Sequence, residues 1–73
     1  MLIKRSFSLA GHRTSVALET EFWAALARVA EQDGMVLSAL VARIDGERDS
    51  ATPLASALRV LALRRAADHE TRD

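Results

Sequence analysis

The sequence predicts a mainly α fold with one short β-strand, and three observations predict it. First, Thr14, Val16 and Leu18 alternate with Arg13, Ser15 and Ala17, the period of a strand with one buried face. Second, the period changes at once: Phe22, Leu26, Val29 and Ala30 fall at i, i+4, i+7 and i+8, the spacing of an amphipathic helix. Third, a break at Gly34 separates this helix from a second apolar stripe, Leu37, Leu40, Val41 and Ile44, so the two helices form a tight helix–turn–helix pair. A single strand cannot satisfy its own backbone hydrogen bonds. Either Lys4–Leu9 folds back onto it or a second copy of the chain supplies the partner.

In chain order, residues 1–12 are an N-terminal arm or an extra strand. Phe7 and Leu9 alternate with Ser6 and Ser8, and Ala10-Gly11-His12 offers a turn in which Gly11 is free to take positive φ. The strand covers residues 13–18. Helix 1 covers 20–33, with Thr20 as its candidate cap, Glu19 and Glu21 at its dipole-favoured start and Gly34 as its stop. Helix 2 covers 37–45, followed by a solvated loop. Helix 3 covers 53–67, with Thr52 to cap it and Pro53 at its first position. It is apolar on more than one side, the pattern of a helix packed between two surfaces.

At 73 residues the chain reads as a single domain with a marginal core, a size at which disulfides, a metal or oligomerisation usually contribute. There is no Cys, and only His12 and His69 remain as nitrogen ligands, far apart and without ligand spacing. Oligomerisation is the remaining device, and no metal or cofactor is expected. Ser6–Leu9 is too short and polar for a signal-peptide core, and no apolar run has spanning length, so a soluble cytoplasmic protein is expected. Formal net charge is zero, yet residues 1–18 hold Lys4, Arg5 and Arg13 and no acid. No nucleophile, base and orienting group stand at a recognisable spacing, and no phosphate-cradling Gly loop occurs. The chain does not read as an enzyme.

The order strand, helix, Gly-centred turn, helix resembles the ribbon-helix-helix superfamily of bacterial DNA-binding proteins. The resemblance covers about residues 4–63 and is carried by Arg13–Leu18, by Val29-Ala30-Glu31-Gln32-Asp33-Gly34 and by the helix opening near Leu37. The string from Lys4-Arg5-Ser6 through Gly11-His12-Arg13-Thr14-Ser15-Val16-Ala17-Leu18 to Phe22-Trp23 is similar to a subgroup of short members.

The resemblance implies an intertwined homodimer in which two strands pair antiparallel, with an extra C-terminal helix beyond the usual pair. The ribbon would enter the major groove, which is wide enough for two strands, and Arg13, Ser15 and Ala17 would face base edges. Lys4 and Arg5 would contact the DNA backbone, with the N–H groups of Leu37 and Ser38 at the start of helix 2. Val16, Leu18, Phe22, Trp23, Leu26, Leu40 and Ile44 would form the dimer core.

Two departures stand out. Val36 occupies a place where many relatives carry a capping Ser or Thr. The reading face also lacks the Asn or Gln that usually contacts adenine.

Two functions compete. The first is a dimeric DNA-binding regulator, either a transcriptional repressor or an antitoxin whose third helix and polar tail to Asp73 would hold a toxin. The second is a dimeric protein-interaction module without DNA. A folded-back Lys4–Leu9 favours the second, because four strands abreast are wider than the groove.

Overall fold

The computed structural model describes residues 1–71 and shows two strands followed by three helices. The strands are β1 (Leu2–Leu9) and β2 (His12–Glu19), and the helices are α1 (Thr20–Gln32), α2 (Leu37–Glu47) and α3 (Leu54–Thr71). The end of the polar tail, Arg72 and Asp73, lies outside the described residues.

The N-terminal segment folds back. β1 and β2 form an antiparallel hairpin whose register runs from Leu2 opposite Glu19 to Leu9 opposite His12. Ala10 (φ 51°) and Gly11 (φ 82°) make the two-residue turn, and positive φ at both positions matches the right-handed twist of the flanking strands. β2 therefore has an intrachain partner along its whole length. A two-residue loop makes Leu9 and His12 a hydrogen-bonded pair, and pairs alternate from there. The backbone groups of Lys4, Ser6 and Ser8 on β1, and of Arg13, Ser15 and Ala17 on β2, consequently point to the sheet's two open edges.

The register places Ile3, Arg5, Phe7 and Leu9 on one face with His12, Thr14, Val16 and Leu18. Phe7, Leu9, Val16 and Leu18 are buried against the helices. They join Trp23, Leu26, Val29 and Ala30 of α1, Leu40, Val41 and Ile44 of α2, and Leu54, Leu58 and Ala62 of α3 in one core. Trp23 is the hinge between sheet and helices. Its ring packs on Phe7 at 5.9 Å between centroids, and its Nε1–H donates to the Ile3 carbonyl at 2.8 Å.

Helix ends explain the connections. α1 stops at Gly34 (φ 68°). The Gly34 N–H donates to Glu31 O and the Met35 N–H to Ala30 O, the paired bonds of a Schellman motif. Its start differs from expectation: Glu19 occupies the cap position, no side chain caps it, and Thr20 is already helical. Glu19 is instead drawn to α3, where Arg59 donates to it at 2.9 and 3.0 Å. α3 begins one residue late, since the Pro53 carbonyl accepts the Ala57 N–H and Leu54 is the first helical residue. Before it, Arg48 clamps the loop by donating to Asp45 Oδ1 and to the Thr52 carbonyl.

Asp33, at the end of α1, receives Arg65 of α3 at 2.7 Å and Arg43 of α2 at 3.4 Å. The hydrogen bond from Arg65 holds the Asp33 carboxyl below its ordinary range. Glu19 is lowered chiefly by a backbone hydrogen bond, with Arg59 adding to it. Depressed carboxylates stabilise the fold fully above the unfolded-state value near pH 4, and that contribution disappears as pH falls through the lowered folded values. Thermal unfolding followed from about pH 6 to about pH 2 is expected to show stability falling across the acid limb. Asp33→Asn should lower stability at neutral pH and flatten that limb, so that its curve and the parent's converge as pH falls.

Candidate nucleic-acid interface

The sheet's outer face is built by the alternation that buries the inner one. Every second residue of each strand points away from the helices, which brings Lys4, Ser6 and Ser8 beside Ala17, Ser15 and Arg13. Two cross-strand contacts order this face: the Ser6 and Ser15 hydroxyls lie 3.1 Å apart, and Arg13 Nη1 donates to Ser8 Oγ at 3.2 Å. Between Lys4 and Arg13 the face carries no acid. Glu19, at its far end, is paired with Arg59. The surface is small, hydroxyl-rich and positive, suited to phosphate oxygens and to hydrogen-bonding base edges.

The remaining expected contact residues are placed elsewhere. Arg5 lies on the opposite side of β1 from Lys4, its guanidinium 5.0 Å from the Trp23 ring centre. It stacks as a cation on an aromatic face and does not share the outer surface. Leu37 is half-buried against the core, and Ser38 is exposed in the first turn of α2. Val36 occupies the cap position there without a side-chain bond, its carbonyl accepting from Ala39 and Leu40. Val16, Leu18, Trp23, Leu26, Leu40 and Ile44 are buried within one protomer. Phe22 is partly buried, with Arg59 over its ring at 5.7 Å.

One feature carries no sequence signal at all, a cavity of about 250 Å³ between α1 and α3 whose lining includes Ala25, Arg28, Val29, Ala62, Arg65 and Ala66. Its two walls stand more than thirty positions apart in sequence, so no local pattern marks it.

The model of the ribbon-helix-helix domain matches residues 2–66. The chain belongs to the ribbon-helix-helix domain family. Ribbon-helix-helix proteins are commonly DNA-binding regulators or antitoxins and typically form homodimers. Among solved structures, the chain is similar to an uncharacterized protein from Bordetella pertussis Tohama I, with 37% identity and a TM-score of 0.87. All of this chain is covered in that superposition, and it spans 62% of the Bordetella protein's length. No protein of curated function matches the sequence. Among the described residues, no helix of this ribbon-helix-helix domain is long and apolar enough to cross a membrane.

Proposed function

We propose that two copies of this domain pair along their β2 edges and that the outer face of the joined sheet binds double-stranded DNA as a regulator. The observation that carries this reading is the acid-free outer face running from Lys4 to Arg13. β2 is the strand that resembles the family's ribbon, and its edge presents the small residues Ser15 and Ala17 at the seam. The β1 edge carries Lys4, a charge of the kind that discourages strand addition.

The folded-back strand sets how such a dimer would sit. Four strands at about 4.8 Å spacing extend about 14 Å between outer strand axes, against a major groove about 12 Å wide. The sheet would lie across the groove, not deep within it. Both β1 strands would then run over the phosphate ridges, with Lys4, Ser6 and Ser8 as donors. Only Arg13 is long enough to reach base edges, while Ser15 and Ala17 lie nearest the dyad. The uncapped first turn of α2 would offer the Leu37 and Ser38 N–H groups to a flanking phosphate. Affinity is then dominated by the backbone, and sequence discrimination is low.

The same width supports a second reading, in which the sheet face binds a protein and no DNA. A gel shift at two salt concentrations separates them. If the face binds DNA, retardation is expected at low salt and weakens steeply as salt rises. Lys4→Ala should lower the salt slope by about one unit for each phosphate that is no longer neutralised. Arg13→Ala should weaken binding by about 2–6 kcal/mol if each of the two copies makes a bidentate base contact worth about 1–3 kcal/mol, leaving sedimentation of the dimer unchanged. No retardation at low salt leaves only the interaction module.

A further inference from the structure

The fold leaves β2 little with which to hold a second copy. Val16 and Leu18 of that strand are 4% and 0% exposed within one protomer, covered by the chain's own helices. The other side chains along the open β2 edge are polar or small: Arg13, Ser15 and Ala17 on the outer face, His12 and Thr14 on the inner. The large apolar side chains that stay exposed among the described residues, Met1, Leu2, Ile3, Val36, Val60 and Leu63, all lie off β2. Pairing along β2 therefore removes little apolar surface from water. It rests on backbone bonds, at most about six from the outward groups of Arg13, Ser15 and Ala17 in two copies. So few bonds scarcely offset the freedom that two molecules lose on joining, which sets the dissociation constant of the free pair at about 0.1 mM or weaker. The protomer, by contrast, is complete. β1 pairs with all of β2, and the core draws on both strands and all three helices. Among the described residues, no buried side-chain nitrogen or oxygen lacks a partner.

From this we infer that the free chain is a folded monomer and that the duplex itself brings the second copy to it, so that DNA binding and β2 pairing are one coupled step. The inference rests on the DNA-binding reading of the sheet face. One copy presents half of that face, with its own Lys4 and Arg13 on the acid-free side, so the site is unfinished until a second copy arrives. Two copies held on neighbouring phosphates of one duplex meet at an effective concentration on the millimolar scale, enough for β2 edges to pair. By linkage, the duplex tightens the pairing by the same factor by which pairing tightens duplex binding. DNA occupancy then rises with the square of the chain's concentration, a threshold that makes the regulator responsive to its own level.

The test uses the whole chain and a short duplex. Without DNA, thermal unfolding at about 1 µM and about 100 µM is expected to give the same midpoint. A chain that folds only as a dimer would gain about 5–10 °C over that hundredfold range. Sedimentation at about 10 µM is expected to show the monomer alone. With the duplex present at that concentration, the complex is expected to carry two copies, and retardation should rise with the square of chain concentration. Ser15→Pro, which removes an outward N–H from each side of the seam, should lose the two-copy complex and bind the duplex about tenfold more weakly. A midpoint that depends on concentration, or a free dimer at about 10 µM, overturns the folded monomer and leaves the DNA-binding reading standing. One-copy complexes, formed by Ser15→Pro as readily as by the parent, overturn the recruitment, again without touching the DNA face. A chain that no concentration of duplex retards overturns the recruitment and the DNA-binding reading together, and the unfolding midpoints still decide whether the monomer folds alone.

Discussion

Leu58→Ala is expected to cost about 2–5 kcal/mol, the range for truncating a fully buried leucine. Leu58 is 0% exposed, in the helix that packs on α1, α2 and β2 together, so the missing methyl groups leave a void with walls from several elements. Such a site relaxes poorly, which places the cost in the upper part of the range. The total stability of a small domain is about 5–15 kcal/mol, and at this length each kcal/mol moves the melting temperature by about 4–8 °C. Urea or thermal unfolding of Leu58→Ala should therefore show a drop of at least about 10 °C. Leu63→Ala makes the matched control. Leu63 lies on the same helix but is 68% exposed, and its truncation should stay within about 0.5 kcal/mol. Equal losses at the two positions would mean that α3 does not pack as described.

Ser15→Pro should dissociate the dimer, and Ser6→Pro should not. The two serines face each other across the hairpin, and the register turns both of their N–H groups outward, away from the ladder that joins β1 to β2. Proline has no N–H and is tolerated where a strand's N–H side is open, so neither change removes an intrachain ladder bond. Only the β2 edge is proposed to meet a second copy. Ser15→Pro should shift sedimentation toward the monomer by at least about tenfold in dissociation constant, the effect of losing two symmetry-related backbone bonds. DNA retardation should fall with it. The intrachain hydroxyl pair of Ser6 and Ser15 is removed in either variant, so any effect of that pair cancels in the comparison. A dimer that survives Ser15→Pro and fails in Ser6→Pro would place the seam at β1.

The core strand was legible because its alternation is strict: Val16 and Leu18 are buried and Arg13 and Ser15 exposed. The sequence alone leaves the hairpin open for two physical reasons. Arg5 interrupts the apolar side of β1, and only the tertiary fold supplies the Trp23 ring on which it stacks. The turn is Ala10-Gly11, where a non-glycine residue takes positive φ, in place of the Asn-Gly pair that signals such a turn. Strand parity sets Lys4 and Arg5 on opposite faces once β1 is a strand, whereas a mobile arm would leave both free to meet one DNA backbone. Thr20 looked like a cap from its position alone; the partner that fixes Glu19 there lies on α3, forty residues away. The Arg28 and Arg65 walls of the cavity between α1 and α3 were invisible for the same reason, because only packing brings them together.

In the proposed function, DNA meets the outer face of the hairpin sheet in a β2-paired dimer. Titrating a short duplex into the isotope-labelled chain at low salt tests it most directly. Shifts are expected at Lys4, Ser6, Ser8, Arg13, Ser15 and Ala17 and at the Leu37 and Ser38 amides, with Arg5 and the cavity between α1 and α3 unmoved. A spectrum that the duplex leaves unchanged, or one whose shifts fall on the helices while the sheet face stays silent, would contradict it.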